Sequence, residues 1–291
     1  MKKIGIGKSH SKIILMGEHS VVYGYPAIAL PLKNIEVTCS IRPAQEKLKL
    51  DIKDPLSTAI FAALEYLEIK DHPITYAIAS TVPQRRGMGS SAAVSIAAVR
   101  AVFDYFEAEL DQATLEMLAN QAEIIAHNNP SGLDAKTCLS DKAIKFIRNI
   151  GFSELDMDLN AFLVIADTGI HGHTREAVAK VEALEEKALI LLHQLGRYTS
   201  QVEDAIADKN LEVIGNRMLE AHKVLMQLGV SCPQSDRLVD AAMSFGALGA
   251  KMSGGGLGGC IIALVKKKEQ AERLAQTLRE EGAINTWIEN L

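Results

Sequence analysis

A segment of glycines and serines between a strand and a helix constrains the fold of this chain more than any other feature. β-Branched and aromatic residues predict a strand over residues 74–82, and an apolar run predicts a helix over residues 94–106. The connection contains Gly87-Met88-Gly89-Ser90-Ser91, so the helix opens with two serines. Glycines let backbone N–H groups approach a ligand closely, and a helix N-terminus adds unpaired donors and partial positive charge. The segment therefore fits a phosphate-binding loop as well as it fits a tight turn capped by serine.

The composition is that of an ordinary globular protein with two domains. The chain has 291 residues, of which 48% are hydrophobic, and its formal net charge is −5 with no basic block. This length allows a large buried core, and the charge gives no indication of a nucleic-acid partner. We expect a boundary near residues 156–159, which divides the chain into domains of residues 1–158 and 159–291.

Cysteine usage and hydropathy predict a cytoplasmic protein. The four cysteines are widely scattered and none belongs to a Cys-x-x-Cys pair, so we expect free buried thiols in a reducing compartment. No apolar run reaches the length of a membrane span, and the N-terminal residues do not have the pattern of a secretion signal. The sequence therefore predicts that no membrane is a partner.

The order of helices and strands is mixed in both halves, which favours an α+β fold over a doubly wound parallel sheet. In the first half we predict strands over residues 13–15, 27–30 and 35–41, and helices over residues 56–67 and 111–127 with Asp111 as the N-cap. In the second half we predict a strand over residues 161–166, helices over residues 174–207, 210–228, 233–245 and 267–281, and a final strand over residues 283–288.

Two clusters of polar residues carry candidate chemistry. Lys12 and the turn Gly17-Glu18-His19 flank an apolar run that we predict to be a strand. Glu123 lies on a predicted helix that ends before Pro130, and Asp134 opens the next element. One of these carboxylates could hold Mg²⁺ while the other orients or deprotonates a hydroxyl. A surface charge and a helix-cap residue are the simpler alternatives for Glu123 and Asp134.

A second glycine-rich segment lies near the end of the chain. Residues 249–260 contain six glycines and lead directly into an apolar strand over residues 261–265. We expect this backbone to approach another loop or another molecule closely. The segment has no Gly-Lys-Ser/Thr sequence, so it is not a Walker A loop, and its strand lies on the wrong side for a dinucleotide fingerprint.

In this order and spacing, the segments resemble the GHMP kinase superfamily, and within it the mevalonate kinases, over nearly the whole chain. Residues 12–24 resemble the first motif, residues 87–93 the phosphate-binding second motif, residues 127–134 the catalytic segment and residues 251–260 the third motif. The chain looks closest to the short bacterial enzymes. The resemblance implies an N-terminal domain of the ribosomal-protein-S5-domain-2-like type, a ferredoxin-like C-terminal domain and an active site in the cleft between them.

The same resemblance implies ATP-dependent phosphorylation of the C5 hydroxyl of mevalonate, with ATP and Mg²⁺ as cofactors. It gives catalytic roles to Asp134 and Lys12, and it assigns Mg²⁺ to Ser91 and Glu123. The residues implied to bind ATP are Arg86, Gly87, Met88, Gly89, Ser90, Ser91 and Ala92, and those implied to bind mevalonate are His19, Thr174 and Ser131. The third motif is expected to pack against the phosphate loop, and a homodimer is left open.

Two alternative functions stay open. Another enzyme of the superfamily, such as phosphomevalonate kinase, would use similar chemistry but should need more basic residues to bind an additional phosphate. A catalytically silent, nucleotide-binding regulator could share the fold. The presence of Lys12, Glu123 and Asp134 together argues against such a regulator.

Overall fold

The computed structural model describes residues 2–46, 48, 51, 54–70, 72–126 and 132–291. Within these residues, strands and helices follow one another in mixed order, as the α+β prediction requires. No helix in this part of the chain is long and apolar enough to cross a membrane.

The bounds of the elements are as follows in chain order. The strands are β1 (Gly5–Met16), β2 (Ala27–Pro43), β3 (Ile74–Ser80), β4 (Ala143–Ile147), β5 (Gly151–Leu155), β6 (Phe162–Asp167), β7 (Gly249–Ser253), β8 (Cys260–Val265) and β9 (Asn285–Asn290). The α-helices are α1 (Pro55–Tyr66), α2 (Ser90–Phe106), α3 (Gln112–Ala126), α4 (Leu133–Cys138), α5 (Thr174–Glu182), α6 (Glu186–Ala207), α7 (Leu211–Gln227), α8 (Pro233–Phe245) and α9 (Lys268–Glu280), and a short 3-10 helix covers Ser20–Tyr23.

The strands form two sheets. The five-stranded sheet has the order β1-β2-β4-β5, with β3 also paired to β2. The long strand β2 pairs with β1, β3 and β4, and its residues 27–29 lie antiparallel to β4 while its residues 37–43 lie antiparallel to β3. The four-stranded sheet has the order β7-β8-β6-β9, and all of its pairings are antiparallel. This topology confirms the α+β class.

The described residues group by their internal contacts into two compact units. Unit 1 contains those of residues 1–12, 31–84 and 89–141, and unit 2 contains those of residues 13–30, 85–88 and 142–291. Each unit is therefore built from separate stretches of chain. The domain division at residues 158 and 159 stays a prediction.

Helices α1, α2 and α3 pack against one another in unit 1. Asp54 caps α1 by accepting a hydrogen bond from the Ser57 backbone N–H at 3.0 Å. Asp111 accepts hydrogen bonds from the backbone N–H and the hydroxyl of Thr114 at 2.8 and 3.0 Å, which confirms the predicted cap of α3. Most of α2 is buried, and the alanines along it allow its neighbours to approach closely.

The core of unit 2 lies between the four-stranded sheet and helices α8 and α9. Val164 and Ile261 from the sheet are buried together with Leu238 of α8 and Leu274 of α9. Strands β7 and β8 are buried at every position. Lys251 is therefore a charged side chain inside a fully buried strand.

Several element boundaries differ from the predictions. The helix predicted over residues 174–207 is two helices, because the chain turns at residues 183–185, where Glu185 has φ 48°. The strands predicted over residues 27–30 and 35–41 are one strand, β2. Strand β1 begins at Gly5, well before the predicted residue 13, and β4 and β5 were not predicted at all.

Candidate active site

Lys12 and Asp134 form a close ion pair in unit 1. The Lys12 Nζ lies 2.7 Å from the Asp134 Oδ1. Lys12 is on β1 and only 1% exposed, whereas the side chain of Asp134, in the first turn of α4, is 34% exposed. The buried ammonium thus holds a carboxylate that a ligand can reach. The proximity of these two residues was predicted and is confirmed.

A second carboxylate, Glu123 on α3, is buried beside this pair. Burial and, to a lesser degree, the charge of Asp134 raise the pKa of Glu123 to about 8, although Lys12 acts in the opposite direction. Near pH 7 Glu123 is therefore mostly protonated, because its ionised form would add a second negative charge that Lys12 alone does not compensate. A divalent cation between these carboxylates would relieve the repulsion and favour the ionised form of Glu123.

Gly89 brings the start of α2 against Lys12. It is the N-cap residue of the helix and has φ 68°, in the left-handed region that favours glycine. A Cβ added to Gly89 would lie 2.9 Å from the Lys12 Cγ and 3.0 Å from its Cε. A larger residue would not fit here. The absence of a side chain at Gly89 therefore allows the helix N-terminus, with its partial positive charge, to lie next to the ion pair.

The two serines do not cap α2. The N-cap is Gly89, and no side chain caps the helix. The Ser91 Oγ is buried and has no hydrogen-bond partner in the described part of the chain. A buried hydroxyl without a partner is unfavourable, and a ligand oxygen or a metal ion would satisfy it. The serine-capped turn is therefore wrong, and the phosphate loop is the interpretation that fits.

The backbone at the start of α2 is suited to bind an anion. The first intrahelical hydrogen bond runs from the Ala93 N–H to the Gly89 oxygen, so the N–H groups of the residues before Ala93 have no acceptor within the helix. Ala92 and Met88 are fully buried. For Ala92, only the backbone N–H is available to a phosphate, which agrees with its small side chain.

Arg86 is fixed by its side chain within unit 2. Its Nε lies 2.7 Å from the Asp167 Oδ1, and its Nη2 donates to the Gly169 oxygen at 3.2 Å. Its Nη1 lies 2.9 Å from the His171 Nδ1. All three guanidinium nitrogens therefore have partners, at the last residue of β6 and in the loop that follows it. The role of Arg86 in ATP binding stays a prediction. Since the guanidinium is already engaged, we expect the backbone of Arg86 to make any contact with ATP.

The third motif, residues 251–260, packs against the same loop in unit 2. A Cβ added to Gly87 would lie 2.9 Å from the Ser253 oxygen and 3.0 Å from the Gly254 Cα. A Cβ added to Gly259 would lie 2.9 Å from the Arg86 oxygen. The predicted packing of the third motif on the phosphate loop is therefore confirmed for Arg86 and Gly87.

His19 and Thr174 both lie against Gly255 in unit 2. The His19 ring forms a hydrogen bond with the Gly255 backbone, and a Cβ added to Gly255 would lie 2.1 Å from the Thr174 Oγ1. Burial lowers the pKa of His19 to about 4, so the ring is neutral near pH 7. Its Nε2 is buried and has no partner among the described residues. A polar substrate group at this position would satisfy the Nε2.

A buried ion pair between Glu18 and Lys251 was not identified from the sequence. The Lys251 Nζ donates to the Glu18 carboxylate and, at 2.7 Å, to the Met252 oxygen. Burial lowers the pKa of Lys251, and Glu18 opposes that shift. The available signal was a lysine within the glycine-rich segment of residues 249–260 and a glutamate in the Gly17-Glu18-His19 turn. Each residue taken alone is typical of a solvated charge.

His222 on α7 packs beneath the same strand. Its Nδ1 accepts a hydrogen bond from the Met252 N–H at 3.3 Å, and its Nε2 lies 3.3 Å from the Asp236 Oδ1. Burial lowers the pKa of His222 to about 4, even though the nearby Asp236 acts in the opposite direction. His222 is therefore neutral near pH 7 and serves β7 as an acceptor.

We expect the free energy of unfolding to fall as the pH is lowered from about 6.5 towards 4. In the folded protein His19 and His222 each have a pKa of about 4, whereas the pKa of an unfolded histidine is about 6.5. The unfolded state therefore binds more protons in this interval, and the stabilisation that is complete above pH 6.5 is lost as the pH falls. Each histidine accounts for up to about 3 kcal/mol of this change, and Glu123, whose raised pKa of about 8 means that the folded state binds its proton more readily, offsets part of it.

Urea unfolding at pH 7 and pH 5 measures this dependence. His222→Gln keeps a hydrogen-bond acceptor but does not titrate, so its unfolding free energy should change less between the two pH values than that of the wild type. His193→Gln, at an exposed histidine on α6, is the matched control and should behave as the wild type. An unchanged pH dependence in His222→Gln would contradict the assignment.

One predicted substrate contact, Ser131, lies outside the described residues. Ser131 and His127 belong to residues 127–131, which the structure does not describe. In the described ranges no group of three or more His, Cys, Asp or Glu side chains could hold a metal ion. Magnesium commonly uses only one or two carboxylates together with phosphate oxygens and water. Glu123 and the unpartnered Ser91 hydroxyl therefore still fit such an ion.

Two family models match the chain, one in each half. The model "GHMP kinases N terminal domain" matches residues 57–142, and the model "GHMP kinases C terminal" matches residues 202–284. The N-terminal match contains the phosphate loop from Arg86 onward, Glu123 and Asp134. The C-terminal match contains the third motif, residues 251–260.

Individual relatives extend these matches over nearly the whole chain. The mevalonate kinase of Pyrococcus furiosus is 31% identical, and the alignment covers 91% of this chain and 90% of that protein. The crystal structure of L. major mevalonate kinase in complex with R-mevalonate is 25% identical, with a TM-score of 0.85 and coverage of 99% of this chain and 95% of that one. Streptococcus pneumoniae phosphomevalonate kinase, in complex with phosphomevalonate and AMPPNP, has a TM-score of 0.82 over 98% of this chain and 99% of that one. It is only 18% identical, so its likeness is one of fold.

Proposed function

This chain belongs to the mevalonate kinases of the GHMP kinase family, and from that membership we infer how its own residues serve the reaction. The reaction is the ATP-dependent phosphorylation of the C5 hydroxyl of mevalonate, which yields 5-phosphomevalonate for isoprenoid biosynthesis. The observation that carries the assignment of roles is the Lys12–Asp134 ion pair with Glu123 buried beside it.

Asp134 orients the C5 hydroxyl and receives its proton. Its carboxylate is partly exposed, and the buried Lys12 at 2.7 Å fixes its direction. Phosphoryl transfer needs alignment and charge stabilisation more than covalent help, so a positioned carboxylate and a nearby cation are the groups that the chemistry requires. The Lys12 ammonium also stabilises negative charge on the transferred phosphoryl group.

ATP binds through the backbone of the phosphate loop and the start of α2. The N–H groups before Ala93 lack acceptors within the helix, and they are supplemented by the partial positive charge of the helix N-terminus. Glu123 and Ser91 would hold Mg²⁺, since one is a buried carboxylate beside a second carboxylate and the other is a buried hydroxyl without a partner. When bound, the ion would neutralise charge on the β- and γ-phosphates.

Mevalonate binds through His19 and Thr174, with Ser131 as a third predicted contact. The neutral ring of His19 has an unpartnered Nε2, and Thr174 contributes a hydroxyl at the start of α5. A neutral imidazole can donate to a carboxylate or accept from a hydroxyl, depending on its tautomer. Both groups suit a small polar acid.

The protein is expected to work in the cytoplasm. Its four cysteines are free, and three of them are buried, which suits a reducing compartment. A division into domains of residues 1–158 and 159–291, and a homodimeric assembly, remain proposals that limited proteolysis and analytical ultracentrifugation would test.

The activity is tested by measuring ADP release with one candidate substrate at a time. Purified protein receives ATP and Mg²⁺ with mevalonate, phosphomevalonate, homoserine or galactose, and a parallel series contains EDTA. We expect ADP release with mevalonate alone among the four, and none when EDTA removes divalent cations. Release that does not respond to mevalonate would overturn the proposed function.

The same experiment separates the two alternatives. Preferential turnover of phosphomevalonate would identify a phosphomevalonate kinase. Binding of ATP without turnover of any substrate would identify a silent regulator. A hydrolysis-deficient ATP analogue in a calorimetric titration provides the binding measurement for the second case.

A further inference from the structure

The Glu18–Lys251 pair is unusual because both of its charges are removed from water. The side chain of Lys251 is 0% exposed and that of Glu18 is 2% exposed. Taking two charges out of water is so unfavourable that a buried pair is often no more stabilising than apolar residues of similar volume. Stability alone therefore does not explain the pair.

The pair lies next to a residue with a strained backbone. His19 has φ 60° and ψ −45°, a combination that residues other than glycine rarely adopt. Strain of this kind persists only where the surrounding structure imposes it, and it is concentrated at functional sites. Glu18 directly precedes His19, and its carboxylate is bound to Lys251 in the centre of β7. The ion pair is thus well placed to hold the strained residue.

His19 is also held from the other side by the same part of unit 2. Its ring forms a hydrogen bond with the backbone of Gly255, just beyond the end of β7, and Gly255 packs against Thr174. Lys251 therefore fixes, through one short strand, both the turn that carries His19 and the loop that His19 contacts. Two of the three predicted mevalonate contacts, His19 and Thr174, depend on this arrangement.

We propose that Glu18 and Lys251 are positioning residues that hold His19 against Gly255 and Thr174 for mevalonate binding, an inference that rests on the proposed function. A second tie joins β7 to β1, because the Ser253 Oγ donates to the Ile14 oxygen at 2.8 Å. This hydrogen bond remains when the ion pair is removed, so the contact between Ser253 and Gly87 in the phosphate loop is retained. Removing the ion pair should therefore weaken the binding of mevalonate and leave the binding of ATP unchanged.

A pair of apolar substitutions separates positioning from stability. Glu18→Leu and Lys251→Met alone each leave one buried charged group without its partner and should lower the unfolding temperature clearly. The double variant Glu18→Leu/Lys251→Met removes both charges and should recover most of that loss. It should nevertheless have a KM for mevalonate raised about tenfold or more, with the KM for ATP within about twofold of the wild type.

The control removes an ion pair in the same unit that has no link to His19. Arg237 and Glu281 lie 2.9 Å apart on the surface, and Arg237→Met should leave both Michaelis constants unchanged. If the double variant folds and its KM for mevalonate equals that of the wild type, the positioning role is wrong. If the wild type itself does not respond to mevalonate, the proposed function fails instead.

A conservative variant keeps the test valid if the double variant does not fold. Glu18→Asp retains the charge but shortens the side chain by one methylene, so the ion pair can form only if the turn shifts. We expect a folded protein whose KM for mevalonate is raised several-fold while the KM for ATP is unchanged. Wild-type values for both constants would overturn the proposal.

Discussion

Asp134→Asn is expected to lower kcat about 1,000-fold while the dissociation constant for ATP stays within about twofold of the wild type. Asparagine has the same size and can still accept a hydrogen bond from Lys12, which lies 2.7 Å from the Asp134 Oδ1. It cannot accept the hydroxyl proton and carries no charge, so the loss falls on the chemical step. ATP binding depends on the backbone at the start of α2, which the substitution does not touch.

Steady-state kinetics, calorimetric titration of ATP and a thermal unfolding curve together test this expectation. Glu116→Gln is the matched control, because Glu116 pairs with Lys136 of the same helix α4 at 2.7 Å and is similarly exposed. That variant should keep kcat within about twofold, since surface and half-buried pairs contribute little. Turnover by Asp134→Asn within tenfold of the wild type would show that Asp134 does not have the role given to it.

Arg86→Met is expected to lower the free energy of unfolding by about 3–5 kcal/mol. Its guanidinium lies 2.7 Å from Asp167, whose side chain is 2% exposed. Removing the arginine leaves a buried carboxylate without its cation, and the remaining hydrogen bond from the Gly169 N–H does not replace the charge. The methionine keeps most of the apolar volume, so the loss reports mainly on the unpaired Asp167.

Urea unfolding measures this loss of stability, and two further variants serve as comparisons. Arg86→Met/Asp167→Leu removes both charges and should be clearly more stable than Arg86→Met alone. Arg237→Met breaks the exposed pair with Glu281 and should cost less than about 1 kcal/mol. A loss below 1 kcal/mol for Arg86→Met would mean that Asp167 is solvated or protonated without consequence, contrary to its burial.

Elements with a conventional apolar pattern could be predicted from the sequence, and β1 shows why others could not. Its inward-facing positions carry Gly5, Gly7, Ser9 and Ser11 rather than large apolar residues. Helix α2 packs so closely on this strand that a Cβ added to Gly7 would lie 2.1 Å from the Ala97 oxygen. Buried and exposed positions therefore alternate as in a half-buried strand. Because the buried positions hold small residues, a search for alternating hydrophobic residues does not find the strand.

The helix break in residues 174–207 has a related cause. Apolar residues continue at helical spacing through the break, so periodicity alone predicts one helix. Glu185 has φ 48°, which the sequence Leu184-Glu185-Glu186 does not indicate, since glutamate is a good helix former. The break therefore overrides a local preference for helix, as the tertiary context of a segment commonly does.

The candidate site was predictable where its residues lie in recognisable segments. The proximity of Lys12 to Asp134 followed from the resemblance and is confirmed, and the packing of the third motif on Gly87 is confirmed as well. The Glu18–Lys251 and Arg86–Asp167 pairs were not predicted, since their partners are far apart in the sequence and charged residues are usually solvated. Only the folded chain shows that these charges are buried.

The Glu18–Lys251 pair also determines when the chain can finish folding during its synthesis. Glu18 leaves the ribosome early, whereas its partner is made 233 residues later. Until then the turn around His19 has no buried cation, and residues 13–30 lack the strands of unit 2 against which they pack. The N-terminal segment must therefore wait for almost the entire chain, which makes this contact a late and long-range step. A nascent chain arrested before Lys251 is expected to expose this segment to chaperones and proteases.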